Sequence, residues 1–132
     1  MSVQVLISTM NESDPIKLLE KMNISSDAVI VNQCGYEKEE IFYIKNHKIT
    51  YLCCNETGLS RSRNKAISYS NDNDIALLAD DDLVYVDNYS ELIKKHLMRI
   101  RIMTLLGLKS RELIKNSNLM EKKARYWGIL LL

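Results

Sequence analysis

The sequence has few of the residues that usually mark a disulfide framework or a metal-binding cluster. It contains three cysteines (Cys34, Cys53 and Cys54), with no Cys-x-x-Cys spacing, and two histidines (His47 and His96) that are far apart. An odd number of cysteines argues against a disulfide framework, and adjacent residues of a strand point to opposite faces. We therefore predict buried free thiols, surface histidines and a reducing, cytoplasmic environment.

Long apolar runs and an excess of charge are also missing. The longest apolar runs are much shorter than a membrane span, and the first ten residues lack the basic segment and cleavage site of a signal peptide. The formal net charge is +1, so the overall charge indicates neither nucleic acid nor a membrane as a partner. An apolar fraction of 46% in 132 residues instead predicts one globular domain.

The charge that is present is unevenly distributed along the chain. Residues 1–95 carry 10 Lys/Arg against 15 Asp/Glu, whereas residues 96–132 carry 8 against 2. We therefore predict an α/β domain at 1–95 and a basic, apolar tail at 96–132, with two amphipathic helices as its simplest structure. The apolar end, residues 127–132, is expected to pack on the domain, to form a homodimer, or to touch a membrane surface peripherally.

Short apolar runs alternate with helix-start signals in the first 95 residues. The predicted strands are residues 3–7, 28–31, 48–53 and 75–79. The predicted helix caps are Asp14 before Pro15, Ser60, and either Asp87 or Asn88. Residues 35–47 are polar and predicted to be irregular, apart from the apolar segment 41–44. This alternation with short connections predicts an α/β fold with a mostly parallel sheet and flanking helices.

Three consecutive aspartates, Asp80, Asp81 and Asp82, follow the last predicted strand directly. Adjacent carboxylates repel one another unless a cation, water or backbone donors relieve them. Mg²⁺ commonly binds through one or two carboxylates together with substrate phosphates, and open α/β sheets bind ligands at their strand ends. The triplet therefore indicates either a metal–phosphate site or a solvated acidic turn, and it does not decide between them.

A second motif, residues 56–64, lies one helix before the aspartates. Gly58 would let the backbone approach a ligand closely, and the helix start that follows offers unpaired N–H groups to an anion. Arg61 and Arg63 add cations that suit a diphosphate. Because the carboxyl ends of parallel strands lie at the same edge of a sheet, this motif and the aspartates are expected to face each other.

The order of these motifs resembles that of the family 2 glycosyltransferases, which have the GT-A fold. The similar segments are residues 5–11, 28–32, 58–67 and 77–85, and the resemblance covers residues 3–95. Gly58, Arg63 and Asn64 match the glycine-to-Arg-Asn helix start of the family. Asp80 and Asp82 have the spacing of its DxD metal motif.

The resemblance implies a GT-A, Rossmann-like half that binds a nucleoside-diphosphate sugar through Mg²⁺ or Mn²⁺ on Asp80 and Asp82. The sugar would be transferred to a saccharide or lipid-linked saccharide acceptor. The substrate-binding residues implied are Thr9, Asn11, Asn32, Gly58, Arg61, Arg63, Asn64, Asp80 and Asp81.

The sequence also departs from the family in three places. Many members have an acidic residue that reads the base where this chain has Asn32 and Gln33, so the base stays open. An Asp-x-Asp-Asp register would place the first carboxylate on Ala79, so the coordinating pair also stays open. The acceptor half with its catalytic base is not matched, since Glu112 and Glu121 are the tail's only carboxylates. We therefore expect a truncated or divergent chain whose activity is undecided.

Two other classes of protein compete with this interpretation. One is a non-catalytic α/β interaction module that dimerises through its C-terminal helices. The other is a metal-dependent phosphotransferase. The second is less favoured, because residues 8–11 after the first strand hold no acidic pair and no Gly-x-x-x-x-Gly-Lys loop occurs.

Overall fold

A computed structural model of the chain describes the backbone of residues 1–105 and 128–131, and the side chains of residues 1–101. The chain forms two compact units. The first consists of Met1–Asp87 together with Gly128–Leu132, and the second of Asn88–Trp127. The candidate site described below lies entirely in the first unit.

The described residues form strands and helices in alternation over most of the first unit. The strands are β1 (Val3–Met10), β2 (Asp27–Gln33), β3 (Lys38–Ile44), β4 (His47–Cys54), β5 (Ile75–Asp80) and β6 (Gly128–Leu131). The helices are α1 (Pro15–Lys21), α2 (Leu59–Ser68) and α3 (Tyr89–Leu105).

The strands form one sheet in the order β3-β4-β2-β1-β5-β6. The four inner strands, β4, β2, β1 and β5, are parallel, whereas β3 and β6 run antiparallel to their neighbours. The predicted α/β fold with a mostly parallel sheet is therefore confirmed. The carboxyl ends of β4, β2, β1 and β5 lie side by side, and we call this side of the sheet the carboxyl edge.

The inner strands are continuous apolar runs because both of their faces are buried. All residues of β1 from Val3 to Thr9 are buried, and so are all residues of β2 from Ala28 to Gln33. Helix α2 packs against one face through Ala66. The core there consists of Leu6, Val29, Val31, Leu52, Cys54, Ala66 and Ala76. Burial of each large aliphatic side chain contributes about 1.5–3 kcal/mol, and this holds the sheet that positions the site.

Two of the predicted helix starts can be compared with the observed caps. The Asp14 side chain accepts a hydrogen bond from the Lys17 backbone N–H at 3.0 Å, and Pro15 opens α1, as predicted. The prediction for α2 was wrong by two residues. Its N-cap is Gly58, and Ser60 lies inside the first turn.

Strand β3 corrects the prediction that residues 35–47 are irregular outside 41–44. It spans Lys38–Ile44 and pairs with β4 without interruption, and the two strands are joined by a turn of Lys45 and Asn46. Most of its side chains are exposed because it is an edge strand. Without a buried face, its sequence lacks the apolar alternation that predicts a strand.

The predicted helical tail is only partly described. Residues 96–105 continue α3, which begins at Tyr89 directly after the predicted cap Asn88. Residues 128–131 form strand β6 against β5, so the expectation of a helix there was wrong. Residues 106–127 lie outside the described part of the chain. Among the helices that the structure describes, none is long and apolar enough to cross a membrane.

Candidate functional site at the carboxyl edge of the sheet

The aspartate triplet begins on the last residue of β5, where Asp80 is in register with Ser8 of β1. The Asp80 side chain is 52% exposed, and Asp82 is also exposed. Asp81 is partly buried. The triplet therefore starts at the carboxyl edge, with its first and third members open to solvent.

The middle aspartate is tied to the neighbouring strand. The Thr9 hydroxyl donates a hydrogen bond to Asp81 Oδ2 at 2.7 Å, and Thr9 itself is buried. Lys21 Nζ donates to the backbone oxygen of Asp81 at 3.4 Å. A short hydrogen bond to a carboxylate from a buried hydroxyl is among the stronger polar contacts. The geometry thus divides the triplet into one fixed and two exposed carboxylates.

The amino end of α2 approaches the aspartates. Ser62 Oγ donates a hydrogen bond to Ser8 Oγ at 2.9 Å, and both side chains are buried. This contact docks the first turn of α2 on the end of β1. One residue later, Arg63 Nη2 lies 3.3 Å from Asp80 Oδ1. The two motifs that the sequence placed at one edge are therefore in direct contact.

The loop before α2 is held by Gln33, the last residue of β2. Gln33 Nε2 donates to the Gly58 carbonyl at 3.2 Å, and the Gly58 N–H donates to Gln33 Oε1 at 3.0 Å. Gly58 has φ +124° and ψ 130°, a conformation that is essentially restricted to glycine. An added Cβ would meet nothing closer than Arg61 Cδ at 3.9 Å, so the backbone conformation rather than space requires glycine.

Asn32 holds the loop after β1 in the same way. Its Oδ1 accepts from the Glu12 N–H at 3.1 Å, and its Nδ2 donates to the Glu12 carbonyl and the Tyr51 hydroxyl, both at 2.7 Å. The Asn32 side chain is fully buried. Asn11, just before, is exposed with φ +51°, and its N–H donates to the Gln33 carbonyl at 3.1 Å. A ligand contact by the Asn32 side chain would require these bonds to break.

The remaining sequence-predicted residues, Arg61 and Asn64, are exposed on α2. Arg61 Nη1 lies 3.8 Å from Glu56 Oε2, and both side chains are about two-thirds exposed, at 68% and 69%. An ion pair of this kind contributes little to stability. The structure therefore joins Thr9 to Asp81 and Arg63 to Asp80 at the carboxyl edge, with Gly58 as the N-cap of the same helix as Arg63. Arg61 and Asn64 are exposed on that helix.

A cavity of about 240 Å³ opens beside α2, next to the Gly58 loop. Its lining residues are Gln33, Glu37, Cys54, Glu56, Arg61, Ser62 and Lys65. Lys65 Nζ lies 3.1 Å from Glu37 Oε2. Hydrogen bonds from the Asn55 N–H and from Lys65 lower the pKa of Glu37. The cavity is thus lined by side chains of both charges. It borders the loop at Gly58, which Gln33 holds in place.

Sequence reasoning missed the residues that connect the edge: Ser8, Glu12, Gln33 and Ser62. Each contacts a partner at least 20 residues away. Nothing in a local pattern identifies such pairs. The available signal was weaker: Ser8 and Gln33 end apolar strands, where a polar side chain must find a partner if it stays buried.

The cysteines behave largely as predicted. Cys53 and Cys54 are buried, on opposite faces of β4, and all three cysteines are free. Burial raises the pKa of the Cys53 thiol, but hydrogen bonds from Tyr51, Cys34 and Tyr36 outweigh it, so that the pKa is lowered. This group lies next to the Asn32–Tyr51 contact.

No preassembled metal cage is present in the described part of the chain, where no three His, Cys, Asp or Glu side chains are arranged to hold a metal ion. Comparisons with protein-family models, with curated proteins and with solved structures gave no significant match. The class that the fold itself defines is an α/β protein with a mostly parallel sheet. Its carboxyl edge is polar and carries exposed carboxylates beside a helix amino end.

Proposed function

We propose that the carboxyl edge binds a nucleoside-diphosphate sugar together with Mg²⁺ or Mn²⁺, and that the chain is a glycosyltransferase of the GT-A kind, similar to family 2. The acceptor would be a saccharide or a lipid-linked saccharide. The observation that carries the proposal is the 3.3 Å approach of Arg63 to Asp80. It joins a cation and a helix amino end to the exposed carboxylates, which are the groups that a metal-bound diphosphate needs.

The donor atoms at the edge fit a hard divalent cation. Asp80 and Asp82 offer exposed carboxylate oxygens, whereas Asp81 is bonded to Thr9. Two carboxylates are sufficient, because Mg²⁺ commonly completes its oxygen ligands with substrate phosphates and water. A dedicated cage of three or more side chains is not required. The cation, when bound, would neutralise charge that develops on the departing diphosphate.

The chain's own residues would hold the diphosphate from the other side. The first N–H groups of α2 have no partners within the helix and carry its positive dipole end. Gly58 has no side chain to block the loop that leads to them, and Gln33 fixes that loop. Arg63 would exchange part of its contact with Asp80 for a phosphate oxygen. This exchange would offset the cost of removing Arg63 from its carboxylate partner.

Transfer itself needs a group that accepts the proton of the acceptor hydroxyl as its oxygen bonds to the anomeric carbon. At the same time, the bond from that carbon to the diphosphate breaks. We assign no residue to this role. Donor binding is therefore the main claim of the proposal, and it can be tested without an acceptor.

The test is a thermal-shift series with UDP, GDP, CDP and their common sugars, each with and without Mn²⁺. A ligand that binds only the folded state stabilises it by about RT ln(1 + [L]/Kd), or roughly 2.7 kcal/mol at a hundredfold excess over Kd. We expect a metal-dependent rise in Tm with one nucleotide. Asp80→Asn and Asp82→Asn should abolish it, and Asp72→Asn, an exposed aspartate outside the edge, should retain it.

A cooperatively melting protein that shows no shift with any nucleotide would contradict the proposal. An equal shift in Asp80→Asn and wild type would move the binding site away from the triplet. The alternative function, a non-catalytic module that dimerises through its C-terminal helices, predicts no nucleotide shift and a mass that depends on concentration. The described residues that bear on it are Gly128–Leu131, which pair with β5.

A further inference from the structure

Strand β3 forms one end of the sheet, and its outer side has no partner strand in the described part of the chain. Seven consecutive residue pairs join it to β4, with no bulge. It contains no proline, and Ile41 and Tyr43 are 49% and 68% exposed. Proteins usually protect a regular, partly apolar edge of this kind, because it can pair with another strand.

The turn after β3 determines which backbone groups point outward. Lys45 and Asn46 have φ +48° and +69°, as in a two-residue type I′ hairpin, and Ile44 pairs with His47 across the turn. In such a hairpin the closing pair exchanges both hydrogen bonds. The backbone groups of Ile44 and Phe42 therefore face β4. Those of Glu39, Ile41 and Tyr43 face away from the sheet.

Charge follows the same strand with opposite signs at its two ends. Glu37, Glu39 and Glu40 lie at the amino end, where Lys38 forms a 3.0 Å ion pair with Glu40, whereas Lys45 lies in the turn at the carboxyl end. Two identical strands that pair antiparallel bring the acidic end of one copy against the basic end of the other. The strand is therefore electrostatically complementary to itself in the antiparallel direction.

We propose that two copies of this chain associate through their β3 strands, antiparallel, with the twofold axis at Phe42. In this register the outward backbone groups of Ile41 face those of Tyr43 in the second copy. Each Glu39 faces Lys45 of the other copy, and the two Phe42 side chains are opposite each other. The result is one continuous sheet across the dimer.

Other registers fit the chain less well. An axis between two residues would place outward groups opposite inward ones, so the hydrogen bonds could not form. An axis at Ile41 is compatible with the backbone but places Glu40 against Phe42 and leaves Glu39 opposite Tyr43. Only the axis at Phe42 combines outward hydrogen bonding, apolar contacts in the centre and opposite charges at both ends.

Sedimentation equilibrium of the full chain tests the dimer, with the mass followed over a wide concentration range. We expect the wild-type chain to change from monomer to dimer as its concentration rises. Ile41→Pro should remain monomeric, since it removes an outward N–H without removing a bond to β4, and edge strands tolerate proline at such positions. A wild type that stays monomeric at all concentrations, or a dimer unaffected by Ile41→Pro, would overturn the proposal.

Charge exchange provides a second test that does not depend on proline. Glu39→Lys or Lys45→Glu alone should weaken dimerisation at least about tenfold, because each creates two like-charge pairs per dimer. The double exchange should restore it to within about threefold. Glu39 also accepts a 2.9 Å hydrogen bond from the Tyr69 hydroxyl, so Tyr69→Phe is the control and should dimerise normally. Equal affinity in the single and double exchanges would exclude this register.

Discussion

The ends of β2 and β5 lie at the same edge of the sheet, but their polar side chains are used differently. Asn32 and Gln33 at the end of β2 are buried and bonded to neighbouring loops. Asp80 and Asp82 after β5 are exposed. A polar residue at a strand end is thus a candidate for ligand binding only after its bonds within the chain have been counted.

The difference follows from the order of the strands. Strand β2 lies between β1 and β4, and the chain leaves both neighbours at this edge. Glu12 after β1 and Gly58 after β4 therefore each lie against the end of β2, where their backbone groups need partners. Asn32 and Gln33 provide these partners. We therefore predict that Asn32 and Gln33 contribute strongly to the stability of the folded protein. Asp80 and Asp82 should contribute little to it until a ligand binds.

The largest expected effect is at Asn32. Asn32→Ala should destabilise the protein by about 2–4 kcal/mol, because it removes three hydrogen bonds of a fully buried side chain. The Glu12 N–H loses its side-chain partner, and the Glu12 carbonyl keeps only the 3.3 Å bond from the Tyr51 hydroxyl. Urea denaturation measures this loss, and Asn73→Ala in an exposed turn is the control, with a change of less than about 0.5 kcal/mol.

Asn32→Asp sharpens the same comparison, since the proposed resemblance to family 2 glycosyltransferases implies an acidic, base-reading side chain at the end of β2. An ionised carboxylate cannot donate to the Glu12 carbonyl, so this variant should also be destabilised. If the Asn32→Asp protein is instead as stable as the wild type and binds nucleotide more tightly, position 32 contacts the ligand.

Gly58→Ala should have the next largest effect. Alanine at φ +124° and ψ 130° is strained, which we expect to cost about 1–3 kcal/mol, even though no atom obstructs its Cβ. Thermal or urea unfolding measures this cost. Ser60→Ala, exposed in the same first turn, is the control and should change stability by less than about 0.5 kcal/mol. Equal effects in the two variants would mean that the loop relaxes around alanine.

The exposed aspartates should contribute little to the stability of the protein alone. Asp80→Asn and Asp82→Asn are each expected to change the free energy of unfolding by less than about 0.5 kcal/mol, because an exposed pair such as Arg63–Asp80 is weak. Urea denaturation without nucleotide or metal checks this. A loss as large as that of Asn32→Ala would make the triplet a structural element and remove the contrast between the two strand ends.

The smallest effect concerns a paired aspartate before β5, Asp74. Partial burial raises the pKa of Asp74, but hydrogen bonds from Ser2 and Asn71 outweigh it and lower the pKa. Its stabilisation is therefore present above the unfolded pKa of about 4 and is lost as the pH falls through the lower folded value. Urea denaturation from pH 6 to pH 3 should show the wild type converging on Asp74→Asn. A difference independent of pH would contradict this.

The inner part of the fold could be predicted from the sequence because its determinants are local. Apolar runs located β1, β2, β4 and β5, and the Asp14–Pro15 pair located the start of α1. The outer strands could not be predicted in the same way. Strand β3 has exposed side chains on both faces, and β6 pairs with a strand more than 40 residues earlier.

Only the location of the candidate site, and not its contacts, could be predicted from the sequence. Knowing that parallel strands share a carboxyl edge was enough to bring Gly58, Arg63 and the aspartates together. The sequence could not show that Thr9 bonds specifically to Asp81, or that Asn32 is turned inward. These contacts depend on side-chain directions at the strand ends, which are set by tertiary packing rather than by a motif.

The position of β1 has a consequence for how the protein forms during synthesis. Strand β1 is synthesised before both of its neighbours in the sheet, β2 and β5, and β5 begins only at Ile75. One side of β1 therefore stays unpaired while the rest of the unit up to that point is made, and contacts so distant in sequence form slowly. Ser8 and Thr9 can meet Ser62 and Asp81 only late in this process. In a nascent chain the last part of the core and these site contacts would thus form together, once β5 has been made.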